Sequence, residues 1–108
     1  MAHFLVQVAY SPEAWASLLK KPQNRIGVVS AAVEKLGGKL INGWLSFGEY
    51  DTVVLLDMPD NIAAAAFAAA IAAGGSCKSI KTTPLLSADE GVAAMKKAGS
   101  SGYTPLSG

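Results

Sequence analysis

An α+β fold with the element order β-α-β-β-α-β and one further helix at its end is predicted by three observations. Residues 40–57 hold two apolar runs pinched together at Phe47-Gly48-Glu49-Tyr50-Asp51, which is the pattern of a β-hairpin. A strand pattern and a helix pattern precede this hairpin, and a helix pattern and a strand pattern come after it, so it stands at the near-symmetric centre of the chain. The length of 108 residues and an apolar content of 51% suit a single domain with one core.

Each element has its own local cause. Residues 3–10 are rich in β-formers and set Phe4, Val6 and Val8 against Leu5, Gln7 and Ala9, a strand with apolar side chains on both faces. Ser11-Pro12-Glu13 starts a helix, with a capping hydroxyl, a proline whose missing N–H costs nothing there, and an acid near the positive end of the dipole. Trp15, Leu18 and Leu19 are expected on its inner face. Pro22 opposes the carbonyl four residues back, so a break is expected over residues 20–23. A second helical piece spans residues 24–36, with Ile26, Val29, Val33 and Leu36 at helical spacing, and Gly37-Gly38 ends it.

The hairpin strands are read as residues 39–47 and 52–57, with residues 48–51 as the turn. The first sets Ile41, Leu45 and Phe47 against Leu40, Asn42, Trp44 and Ser46. Pro59 with Asp60 or Asn61 stops the second strand and caps a helix over residues 62–73, where only Ile62, Phe67 and Ile71 stand among nine alanines. Such small side chains predict close packing on the sheet. Residues 77–85 form the fourth strand, and Pro84 implies an edge position or the strand's end. Ser87-Ala88-Asp89-Glu90 is a capping box that opens a last helix to about residue 97, and residues 98–108 read as a flexible tail.

Composition narrows the function classes. Nine Lys and Arg against eight Asp and Glu, a net charge of +1, form no cluster of either sign, so neither nucleic acid nor an anionic membrane is an expected partner. The longest apolar window, residues 62–73, is too short for a bilayer, where about 20 residues are needed. The first residues lack the basic region of a secretory signal, and a lone Cys77 allows no internal disulfide and no multi-thiolate metal site, so a cytoplasmic location is expected. No Gly-rich phosphate loop appears, since both Gly-Gly pairs come after helices, and no cofactor is expected.

Two β-α-β units around a hairpin give a four-stranded antiparallel sheet, the ferredoxin-like sandwich, whose helices cover one face. Leu5, Leu40, Trp44, Val54 and Leu56 are expected on the second face. A second copy is the simplest cover for them, which predicts a homodimer or higher homo-oligomer. Gln7, Asn42, Ser46 and Lys81 or Thr82 mixed among them suggest a lined cavity between the sheets.

The residues also carry a resemblance. Phe47-Gly48-Glu49-Tyr50-Asp51, entered from residues 34–40 and continued by residues 52–60, resembles the GYD-domain family, as do the opening at residues 4–10 and the close at residues 78–90. The resemblance covers residues 1–97 and implies a dimeric α+β barrel, in a superfamily that also holds ligand-sensing domains of Lrp-type regulators and small cofactor-independent oxygenases and isomerases. It implies no particular activity and supplies no catalytic residue.

Single residues support three functional readings. A small ligand held at or between subunits would draw on Tyr50, Asp51, Trp44, Arg25, Lys81 and Cys77, with Arg25 or Lys81 meeting an anionic group. The same Gly48, Tyr50 and Asp51 also suit a tight turn, in which glycine and a self-bonding Asp have structural work and the tyrosine staples the hairpin. A cofactor-independent oxygenase or isomerase would use His3, Tyr50 and Asp51, with His3 pairing with Asp51 or Asp57 as acid and base. A thiol-based binder of a soft element, a selenium or metal species, would use Cys77 with its thiolate favoured by Lys78 and Lys81. Against that stands a buried, inert cysteine beside the negative end of a helix.

Overall fold

A computed structural model describes residues 1–107. The chain runs β1 (Ala2–Tyr10), α1 (Pro12–Lys20), α2 (Ile26–Lys35), β2 (Lys39–Leu45), β3 (Thr52–Met58), α3 (Asn61–Ala73), β4 (Cys77–Leu85) and α4 (Ala88–Ala98). The four strands form one antiparallel sheet in the order β2-β3-β1-β4. This is the ferredoxin-like sandwich expected from the sequence, with α1, α2 and α3 on one face and α4 appended.

The local signals act as read. Ser11 Oγ accepts from Ala14 N at 3.1 Å, and Asp60 Oδ1 accepts from Ala63 N at 2.8 Å. At α4 the capping box closes in both directions: Glu90 N donates to Ser87 Oγ at 3.1 Å and Ser87 N to Glu90 Oε1 at 3.0 Å. The Ser87 backbone N–H, and after it the Ser87 hydroxyl, hold the Glu90 carboxyl below the usual carboxylate range. The chain breaks between α1 and α2 where Pro22 stands, and β4 with Pro84 is an edge strand.

The core lies between the sheet and the helices. Phe4, Val6 and Val8 of β1 and Val54, Leu56 and Met58 of β3 pack against Val33 of α2 and Ala63, Ala64 and Phe67 of α3. Alanine lets α3 sit close on the strands, so Phe67 reaches full burial. One helix face differs from expectation. Leu19 points outward, 76% exposed, because α1 is anchored by Trp15 and Leu18; in α3 Ile62 is likewise 80% exposed, and the helix is anchored by the alanines and Phe67.

The second face of the sheet also differs in its membership. Phe4 pairs with Leu56 and Val6 with Val54, so Val54 and Leu56 lie beneath the helices, and Leu40, opposite Leu56, lies there too. Ile41 is an extra residue between the pairs Leu40↔Leu56 and Asn42↔Leu55, a β-bulge that reverses the facing of the rest of the strand. Trp44 therefore joins Leu5, Val53 and Leu55 on the open face. Gln7 and its partner Lys81 share that face, whereas Thr82, opposite Val6, is on the helix side. Strand β2 ends at Leu45, two residues earlier than expected, and Phe47 stands wholly exposed at the tip of the loop.

The two glycines after α2 serve different needs. Gly37 takes φ +86°, the left-handed cap, while Gly38 is required by contact, since an added Cβ would stand 2.7 Å from the Asp57 carbonyl oxygen. At the other end of the chain α4 buries no residue, leaving Val92 and Met95 exposed. The radius of gyration is accordingly 17.3 Å, against about 13 Å for a compact domain of this length.

Candidate functional site

The loop that joins β2 to β3 is closed by Ser46, whose N–H donates to the Asp51 carbonyl at 2.8 Å and whose hydroxyl donates to the Tyr50 carbonyl at 2.7 Å. The staple is thus Ser46, where a tyrosine side chain was expected. Asp51 faces inward from this loop. Its Oδ2 accepts from Tyr10 N at 2.9 Å and from Trp15 Nε1 at 3.2 Å, and its own N–H donates to the Val8 carbonyl at 2.8 Å. One carboxylate so ties the end of β1, the start of β3 and the first helix together. The Tyr10 and Trp15 rings meet edge to face at 5.5 Å, a favoured arrangement for two quadrupoles.

Next to this knot, on the helix side of the sheet, lie two cavities of about 450 Å³ each. One runs between α2 and α3 toward Phe67, Ile71 and Cys77, and the other lies under α1 toward Trp15, Pro22 and Leu45. They share Tyr10, Leu18, Gln23, Arg25, Val29 and Thr52 as a common wall. Small residues make the space: Ala14, Ala32, Ala70 and Gly74 line the first cavity where larger side chains would fill it. At the wall Thr52 is buried, and its hydroxyl is 3.0 Å from the Tyr10 hydroxyl. That bond uses one of the pair's two protons, so the other is left to donate. Arg25 stands exposed at the rim, where its Nη1 donates to Gln23 Oε1 at 3.2 Å.

The expected site residues divide among three places. Arg25 lines both cavities and Cys77 the first, and Asp51 sits one layer behind, holding Tyr10 and Trp15 in position. Trp44 and Lys81 are on the open face of the sheet, and Tyr50 is in the loop. His3 lies seven residues along β1 from Tyr10, about 23 Å at the rise of a strand, so it is not brought together with Tyr50 and Asp51. It pairs across the sheet with Asp57, whose other neighbour is Lys39, and Asp57 Oδ1 is buried without a hydrogen-bond partner. Tyr10 and Thr52, the polar floor of the cavities, were not singled out by sequence reasoning. The available signal was a threonine placed first in the strand, ahead of the apolar run Val53–Leu56 and beside Asp51.

Burial pushes the Cys77 thiol up, in the direction of the inert-cysteine reading and away from the thiolate one, and Lys81 is on the opposite face of the sheet. Iodoacetamide is expected to alkylate Cys77 several times more slowly at pH 8 than a free cysteine, with the rate still climbing above about pH 9. A rate that levels off near neutral pH would show a stabilised thiolate instead. Among the described residues no group of three or more His, Cys, Asp and Glu side chains is placed to hold a metal ion. Among the same residues no helix is long and apolar enough to cross a membrane.

The architecture and the cavity define a small ferredoxin-like α+β protein with a recess between its helices and its sheet. The chain matches the GYD domain over residues 4–95 and belongs to that family. Solved structures share the fold at low identity. TTHA0845 from Thermus thermophilus is 16% identical with a TM-score of 0.55, over 82% of this chain and 96% of that one. FFRP-DM1 is 14% identical with a TM-score of 0.51, over 80% of this chain and all of that one. An AsnC family transcriptional regulator from Agrobacterium tumefaciens is 15% identical with a TM-score of 0.50, over 80% of this chain but only 50% of that one, so the likeness spans half of the regulator. No curated protein matches the chain by sequence.

Proposed function

We propose that this protein is a small-ligand binder that works as a homo-oligomer, with the ligand held beneath the helices of each subunit. The observation that carries the reading is the pair of cavities meeting at Tyr10, Thr52 and Arg25, where apolar walls enclose a few convergent hydrogen-bond donors. This moves the ligand from the space between sheets to the helix side of one chain. Self-association is supported by the open face, where Trp44 is 50% exposed beside the half-buried Leu5, Val53 and Leu55. Residues 1–97 form the binding domain in this reading and residues 98–108 a tail, whose last residue lies outside the described residues. The transcriptional regulator among the fold relatives lends no nucleic-acid role, given a net charge of +1 without a basic cluster.

Native mass spectrometry of the protein purified from its own cells tests both parts at once. The wild type is expected as a dimer or larger assembly carrying retained mass in each subunit, and Leu55→Lys as a monomer, since a charge on the open face opposes its burial against a second copy. A wild-type monomer at micromolar concentration would remove the oligomer. Unliganded subunits that also fail to take up any member of a small-molecule library would remove the binding function.

A further inference from the structure

The charge inventory of the cavities is one-sided. Among the described residues that line either cavity Arg25 is the single formally charged one, and it lies on the wall that both share. Among the described residues no Asp or Glu lines either cavity, and the hydrogen-bond partner of Arg25 is the neutral amide oxygen of Gln23. Lys20 and Lys21 are near in sequence but line neither cavity. Deeper on the same wall the Tyr10–Thr52 pair offers a hydroxyl proton. Ser17 and Ser76 add hydroxyls to one cavity and Asn24 an amide to the other, and the rest of the surface is mainly aliphatic and aromatic: Leu18, Val29, Val54, Phe67 and Ile71 in the first, Trp15, Leu19 and Ile26 in the second.

From this we infer that the natural ligand is a small amphipathic organic anion, with an apolar body in the cavities and a carboxylate at the mouth against Arg25. The inference rests on the cavity reading above and adds its chemical class. A planar guanidinium meets a carboxylate through two parallel hydrogen bonds, and a rim position spares the anion full desolvation. A cationic ligand would meet Arg25 with no acid to offset it. A strongly polar ligand would leave its groups unpaired against the apolar walls.

Three probes of one shape separate the outcomes: 2-naphthoate, 2-naphthylmethanol and 2-naphthylmethylammonium, titrated into the full chain by ligand-detected NMR. Naphthoate is expected to bind about fivefold tighter than the alcohol, the amount an exposed ion pair supplies, and the ammonium weakest. Arg25→Gln should erase the preference for naphthoate over the alcohol. Because Arg25 is exposed, that variant is expected to fold. Equal binding of all three by the wild type, or an anion preference that survives Arg25→Gln, would overturn the anionic class while leaving the cavity as a binding site. Binding of none of them would instead overturn the cavity reading itself.

Discussion

Gly38→Ala is expected to lower the melting temperature by on the order of 15 °C. The added Cβ would overlap Met58 Sδ and would stand 2.7 Å from the Asp57 carbonyl oxygen and 3.1 Å from Val33 Cγ1. Met58 and Val33 are both fully buried, so neither side chain can swing into solvent. The carbonyl belongs to β3, which is paired on both sides and cannot shift without opening the sheet. Overpacking of this kind costs about 3 kcal/mol, and each kcal/mol is worth roughly 4–8 °C in a domain of this size. Thermal unfolding measured by far-UV circular dichroism reads the loss. Gly91→Ala provides the contrast, because a Cβ there meets nothing within 4 Å and alanine favours the helix. A Gly38→Ala protein melting within about 3 °C of wild type would show that the α2–β2 junction packs less closely than described.

Asp51→Ala is expected to cost about 3 kcal/mol, and Asp51→Asn about 1 kcal/mol. The alanine strips the acceptor from two part-buried donors, the Tyr10 amide and the Trp15 indole, whereas asparagine keeps a neutral oxygen in place of a charged one. The two variants also separate the jobs of this residue. If Asp51 holds Trp15 in place, the indole emission should shift to the red in Asp51→Ala and little in Asp51→Asn. A Trp44→Phe background removes the other tryptophan, which is half-exposed on the open face. Equal stability of the two variants would mean that the negative charge, and not the acceptor geometry, is what the site uses.

Much of the fold was legible because its signals are local. Ser11-Pro12, Asp60, the Gly37 cap and the Ser87–Glu90 box are each satisfied within a few residues, so a linear reading finds them. The phase of the strands was harder. In β3 every position from Val53 to Leu56 is apolar, so alternation alone does not say which side faces the helices. That choice is made by register against β1, a strand far away in sequence. In β2 the bulge at Ile41 then breaks the alternation itself. The candidate site was legible only as separate residues. Arg25 and Cys77 were named, but their joint cavity comes from three helices meeting the sheet, and its floor depends on Tyr10 and Thr52 lying side by side on neighbouring strands. The role of Asp51 was half visible: a turn residue by pattern, it proves to be the tie between a strand end and a helix.

Helix α4 behaves as a thermodynamic unit of its own. Its order comes from a capping box, two acids in the first turn and two lysines in the last, with no core contact to fasten it. Eleven residues on such terms fall below the roughly 12–15 at which an isolated helix is even marginal in water, so its order is expected to respond to anything that touches Val92 or Met95. The C-terminal end of the chain therefore acts as a gauge of company: its amides exchange quickly while it stands alone, and slow down in proportion to how often a neighbour occupies it.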